Sequence, residues 1–268
     1  MSIKLTHLAS LLLSVAVSNV FADDKPWTIS TGLNYRNSNF TLPSNRNNNE
    51  SWTSNLGLSR QLNEKTWLGG AISYTDSDIR YKTLNGNGDI ETASVSAFVT
   101  RNLAWGLYGN ASIGYGKLDI DNKFPTTQLD TDADYTTAAL GLTQYIPLSQ
   151  QLMSSFNARY THISSNTDSF ITNAGQAVSS SDSTLNYITL GARLDYKLDK
   201  LTPFVHLDWQ KASREFIQNT SDDDYFSYGV GANYAIKPET NIGFSIGSVF
   251  DKRYANETSV GINLSHRF

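Results

Sequence analysis

The residues able to do chemistry in this chain are few and fall into separate groups. His162-Ile163-Ser164 is the sharpest of them. Alternate residues of a strand share a face, so this imidazole and hydroxyl can meet as base and nucleophile. Asn186, on the next descending strand, has the parity to orient the ring. A second group is ionisable: Arg159, Arg193, Asp195, Lys197, His206, Asp208 and Arg267 stand among small polar residues. A third is acidic, with Asp130, Asp132 and Asp134 alternating and Asp222, Asp223 and Asp224 in a run. Such carboxylates raise a calcium reading, because Ca²⁺ takes several oxygen ligands. The alternating set lacks the glycine and distal glutamate of a calcium-binding helical loop, so both sets read as solvated loop tips. Phosphate-cradling, zinc-ligand and nucleophile-elbow signatures are absent, and no cofactor or metal is expected.

These residues need elements to position them, and composition narrows which. The chain has 268 residues, 39% hydrophobic and 17% charged, with 18 Gly, 14 Tyr, 12 Phe and no Cys. The apolar and charged shares fall below the roughly 45–50% and 25% of ordinary globular domains, and small polar residues make up the difference. The 12% of aromatic residues excludes a disordered chain, and the lack of cysteine excludes a disulfide scaffold. A net charge of −4 leaves no basic surplus to neutralise phosphates, so nucleic acid is not a partner.

Residues 1–22 read as a signal peptide. Lys4 supplies the positive start, Leu5 to Val17 the apolar run, and Val20 and Ala22 the small-residue cleavage positions. Beyond it, no stretch of about 20 apolar residues offers a membrane-spanning helix. Residues 23–268 are expected to form one domain.

From Trp27 onward the period is two. Phe226, Tyr228, Val230, Ala232, Tyr234 and Ile236 occupy one face of a strand, with Ser227, Gly229, Gly231 and Asn233 on the other. The last segment repeats this, with Val260, Ile262, Leu264 and Phe268 against Gly261, Asn263, Ser265 and Arg267, and His266 intruding on the apolar face. A soluble secreted β-sandwich, the rival reading, would carry Lys, Glu and Arg on its second face. A lining of Gly, Ser, Thr and Asn behind a large apolar face fits a closed sheet in lipid, where only closure satisfies every backbone group. The expectation is all-β: a 12-stranded antiparallel up-and-down transmembrane β-barrel.

Turn signals place strands at 26–40, 50–62, 66–83, 90–103, 105–121, 133–148, 152–170, 183–198, 201–216, 225–236, 240–254 and 258–268. Short connections, the Leu103-Ala104 corner among them, alternate with longer polar ones, which puts both termini in the periplasm. Trp27, Trp67 and Trp105 each open an ascending strand and Trp52 a descending one, as interfacial girdles require, although parity turns Trp67 inward. The seven ionisable residues from Arg159 to Arg267 then line the lumen, where they either tune the passage of small solutes or brace the barrel shut.

The C-terminus carries a resemblance. TSVGINLSHRF ends on Phe268 after alternating Leu264, Ile262 and Gly261, and it resembles the terminal strand read by the bacterial barrel-assembly machinery. LTPFVHLDWQKASREF, FSYGVGANYAIKPE and TNIGFSIGSVFD look like the last strands of the autotransporter β-domain, with Pro203-Phe204 at the expected opening. The resemblance implies a twelve-stranded barrel in the outer membrane of a Gram-negative bacterium, in contact with outer-membrane lipid and lipopolysaccharide. It implies no enzyme. Only Asp23 to Pro26 separate the cleavage site from the first strand, so no passenger is expected, and the role is that of a passive pore or a surface-displayed structural barrel. Separately, His162-x-Ser164 is similar to the arrangement in outer-membrane phospholipase A and lipid A deacylases, which implies a lipolytic barrel as the alternative.

Overall fold

A computed structural model describes residues 27–41, 46–173, 175–214 and 223–268. The expected signal peptide at 1–22 and Asp222 lie outside them. The described residues form strands β1 (Trp27–Thr41), β2 (Arg46–Asn63), β3 (Thr66–Tyr81), β4 (Gly86–Ala104), β5 (Leu107–Lys123), β6 (Gln128–Pro147) and β7 (Leu152–Thr167). They continue as β8 (Phe170–Ile171), β9 (Ala177–Val178), β10 (Ser181–Tyr196), β11 (Leu201–Ala212), β12 (Asp224–Lys237), β13 (Thr240–Phe250) and β14 (Ala255–Arg267). The short β8 and β9 pair with each other in a loop, and the other twelve close a barrel in which β14 pairs with β1. Each neighbour is antiparallel and next in sequence, apart from the closing pair β14 with β1 and from β7 with β10 around the loop hairpin. Trp27 and Phe268 exchange backbone hydrogen bonds of 3.2 and 3.0 Å at the seam, which sets the start of β1 and the end of β14 at one rim, here the lower rim.

The faces sort as the alternation requires. Tyr228 and Val230 are 47% and 54% exposed on the outside, whereas Gly229 between them is buried. The outward rows Ala93, Val95, Ala97 and Val99 on β4 and Ile188, Leu190, Ala192 and Leu194 on β10 continue this belt. At about 3.3 Å per residue, Tyr228 to Ile236 covers roughly 20 Å of depth once strand tilt is allowed for, near the height of an outer-membrane apolar band. Inward glycines make room for neighbouring rings. The Phe98 ring lies over Gly69, the Tyr135 ring over Gly116 and the Phe204 ring over Gly231, where any Cβ would collide.

Several expected boundaries move. The strands run further up than the turn signals suggest, so Arg46–Glu50, Asp121–Lys123 and Gln128–Asp132 are strand and not loop. Asp130, Asp132 and Asp134 therefore sit on the outward face of β6 rather than at a loop tip. At the lower rim the hairpin turns at Trp105 and Gly106, with φ of 47° and 73°. Trp105 does not open a strand; it stands 97% exposed on that turn. The inward parity of Trp67 is real, since its ring lies 6.2 Å from Tyr108, which meets Tyr145 edge-on at 5.5 Å. Register shifts fall at Gln61/Asn63, Asn102/Ala104 and Ala235/Lys237, all beside lower turns, where bulges re-aim the strand ends.

Above the belt the polarity inverts, which the sequence reading missed. On β3, Asp76, Asp78 and Arg80 point out while Ile79 and Tyr81 are buried inside. On β5, Lys117, Asp119 and Asp121 point out while Leu118 and Ile120 are buried. A spanning strand needs only about 9–11 residues, and β4 and β6 have 19 and 20. The surplus rises into water, and there the ordinary rule of apolar inside and charged outside returns.

Candidate functional site

Inside the lower half of the barrel, β10 and β11 build a charged ladder. Their register sets Arg193 opposite His206, Asp195 opposite Phe204 and Gly191 opposite Asp208. Arg193 Nη2 lies 2.6 Å from Asp195 Oδ1 and its Nε 2.9 Å from Oδ2, a two-pronged pair. The same guanidinium sits 3.6 Å over the Phe204 ring, and Phe204 stacks on His206 at 6.2 Å. His206 Nε2 lies 3.9 Å from Asp208 Oδ2. Asp208 and Asn157 converge over Gly191, whose missing side chain gives them the space. The polar pairs thus form along each strand, between alternate residues, and rings join the strands.

The other expected lumen residues are placed differently. Arg159 is inside and donates to Ser112 Oγ at 3.2 Å and Thr161 Oγ1 at 3.4 Å. Arg267 ends β14 at the lower rim, its backbone N–H donating to Glu239 at 2.8 Å. Lys197 does not line the lumen: it lies past the end of β10, exposed, with its backbone N–H on the Gln151 carbonyl. Ile262, Leu264 and Phe268 face out from β14, Gly261 faces in, and the intruding His266 accepts or donates a 2.9 Å bond with Thr240 Oγ1.

The inner wall of the upper half carries buried apolar side chains that sequence reasoning did not single out. Ile163, Leu185, Tyr187, Ala212 and Tyr225 pack together, each 3–8% exposed, with Val249 against them. Leu118, Ile120, Ala133 and Tyr135, each 2–5% exposed, form a second cluster with Ile90. Arg36 and Glu257 pair at 3.3 Å between β1 and β14, and the Lys252 ammonium lies 4.6 Å from the Tyr225 ring. Side chains lining an open aqueous channel would keep their surfaces wet, and these do not. The available signal was the parity of Leu118 and Ile120 with Gly114 and Gly116, on the inward face of β5.

On the outside, the upper wall is acidic. Glu50, Asp78, Asp89, Asp121 and Asp130 stand opposite one another across β2 to β6, and Asp76, Glu91, Asp119 and Asp132 form the rung below. Lys123 offsets part of this through a 2.7 Å pair with Asp121. Among the described residues no group of three or more His, Asp or Glu is arranged to hold a metal ion. Directly opposed like charges are destabilising. Crowding by neighbouring groups, then the Asp78 carboxyl, pushes the Asp89 pKa up; crowding, then Asp132 and Asp130, does the same for Asp119. A raised acid pKa means that the folded state carries a penalty above it, which is relieved as pH falls through it. Asp89→Asn and Asp119→Asn are therefore expected to raise the urea midpoint at pH 7, and the gain should shrink toward zero as pH drops through the carboxylate range. A gain that does not change with pH would contradict this.

The outward His162 is oriented as its parity suggested. Its Nδ1 lies 2.7 Å from Asn186 Oδ1, and Tyr160 donates its hydroxyl to the same oxygen at 2.9 Å. Ser164 follows on the same face, one pleat above.

Comparison with known proteins agrees with this architecture. The family described as "Autotransporter beta-domain" matches residues 27–247. No curated protein matches. Among solved structures, the translocator domain of the autotransporter NalP from Neisseria meningitidis superposes with a TM-score of 0.73 at 15% identity, covering 92% of this chain and 90% of that one. The β-domain of the Bordetella autotransporter BrkA gives 0.76 at 15% identity, covering 91% and 100%. The transport unit of AIDA-I from Escherichia coli gives 0.70 at 14%, covering 98% and 97%. At such identities the superpositions speak to the fold, a closed twelve-stranded barrel with an apolar belt, and they leave no room for a soluble sandwich. With its family match running over most of that barrel, this chain belongs to the autotransporter β-domain family of outer-membrane barrels.

Proposed function

We propose that this protein is a structural outer-membrane barrel of a Gram-negative bacterium whose bore is shut at its outer end, holding its upper wall and loops at the cell surface. The carrying observation is the pair of apolar clusters that keep Tyr187, Tyr225, Leu118 and Tyr135 dry inside the upper half. The Arg193, Asp195, His206 and Asp208 ladder then serves as a brace on one wall of the lower bore rather than as a selectivity filter. In this reading the lower rim lies in the periplasm, lipopolysaccharide and phospholipid surround the belt, and the strand ending at Phe268 engages the barrel-assembly machinery during insertion.

Planar-bilayer recording of the purified protein tests the reading. The expected result is a folded barrel, shown by a gel mobility that changes on boiling, with no steady conductance. Regular conductance steps from such folded protein would restore the passive-pore reading, with small solutes as its cargo.

A further inference from the structure

We propose that the outer face of β6, β7 and β10, at the upper edge of the apolar belt, carries an ester-hydrolysing site in which Ser164 is the nucleophile, His162 its base and Asn186 the positioning residue. Its substrates are acyl esters of lipids in the surrounding leaflet. The proposal does not depend on whether the bore conducts.

The imidazole comes first. Asn186 Oδ1 can only accept, and it lies 2.7 Å from His162 Nδ1, so Nδ1 carries the ring proton and Nε2 is left with a free lone pair. The Tyr160 hydroxyl, donating to the same oxygen at 2.9 Å, holds the amide in that sense. The Asn186 backbone is fixed as well: its N–H donates to Ser213 Oγ at 3.2 Å and its carbonyl accepts from the Ser213 N–H at 2.8 Å. A base held in one tautomer by a third group is what activation of a serine requires.

Ser164 supplies the hydroxyl on the same outward face. Among the described hydrogen bonds it has none to the imidazole, so attack requires a turn about its χ1 onto Nε2, a single step between staggered rotamers. Directly opposite Ser164 stand Thr136 on β6 and Thr184 on β10, both outward, and both hydroxyls can donate to an oxyanion formed between them. Depth selects the substrate. Leu140, Tyr160 and Ile188 form the rung on the apolar side of the group, and Asp134, Asn166 and Asp182 the rung on the aqueous side. A lipid at this height presents its acyl ester linkages to Ser164, with its chains below and its headgroup above.

In the reaction Ser164 Oγ bonds to the ester carbonyl carbon and its proton passes to His162 Nε2. The bond from that carbon to the alcohol oxygen breaks, and the alcohol leaves with the Nε2 proton. Water then attacks the acyl-serine, giving its proton to Nε2, and the serine oxygen recovers it as the fatty acid departs. Water is the sole co-reactant.

The test takes the full purified barrel, in mixed micelles with Ca²⁺ present, to phosphatidylethanolamine in one arm and to lipopolysaccharide in the other, with released fatty acid measured. Release in either arm supports the site and tells the two ester sources apart. Ser164→Ala should remove release. His162→Ala should lower it by about 10²–10⁴-fold, the range of general-base catalysis. Asn186→Ala should lower kcat at unchanged KM and alter the pH profile, with Asn186→Asp restoring part of the rate. Heat-shifted mobility verifies folding of each variant. A fluorophosphonate probe should label Ser164, less so when His162 is alanine. Absence of fatty-acid release in both arms together with absence of labelling overturns the proposal, as does full activity in folded Ser164→Ala protein.

Discussion

Arginine in place of Val230 is expected to lower the unfolding free energy of the barrel by about 2–4 kcal/mol, the cost of a cation on the lipid face at mid-depth. Val230 stands near the middle of the outward row that runs from Phe226 to Ile236, with Val205 and Ile246 on either side. Its replacement would meet apolar side chains and acyl chains, and could reach water only by snorkelling. Asn233→Lys, on the inward face of the same strand, should cost far less, because its ammonium enters the polar bore. Urea titration of the lipid-refolded protein, followed by tryptophan fluorescence and by gel mobility, measures both. Equal losses on the two faces would refute the assignment of outside and inside.

Tyr187→Ala should be as damaging, though for a different reason. The ring is 3% exposed among Ile163, Leu185, Ala212 and Tyr225, and removal of a buried aromatic side chain from such a cluster costs about 3–5 kcal/mol. Its hydroxyl is buried and has no hydrogen-bond partner among the described residues, so Tyr187→Phe should be neutral or slightly stabilising. The pair of variants isolates the ring from the hydroxyl. A bilayer recording adds a second readout: if these rings close the bore, Tyr187→Ala combined with Tyr225→Ala should pass current where the parent does not. A silent, folded double variant would move the closure elsewhere.

The barrel was legible in the sequence where lipid does the selecting. Lipid accepts only large apolar residues, so the Tyr228, Val230 and Ala232 row announces its face, and the Gly, Ser and Asn residues behind it announce theirs. Legibility faded where the strands leave the bilayer. Along Asp130, Asp132 and Asp134 the outward residues are acidic, and Thr131, Ala133 and Tyr135 between them turn inward. Read alone, that stretch has the polarity of a loop; only pairing with β5 makes it a strand. Trp105 misled because an aromatic beside a turn fits a girdle, and nothing local marks it as the turn itself. Lys197 had the right parity but one residue too few of strand beneath it. The ladder residues were found by their inward parity. Rings are what the sequence could not place: Phe204 lies between the Arg193–Asp195 pair and His206 because Gly231 leaves room for it.

The seam between β1 and β14 has a kinetic meaning. It runs from Thr28 opposite Arg267 to Phe40 opposite Ala255, and so it joins the first and last strands of the sheet. Hairpin neighbours can zip from their turns within microseconds, but this closure must wait until the whole ribbon has curled. For that interval two unpaired edges, each with a row of open amides and carbonyls, are exposed to any passing chain. Whichever helper grips the last strand first also decides whether the ribbon finds its own beginning or a stranger's.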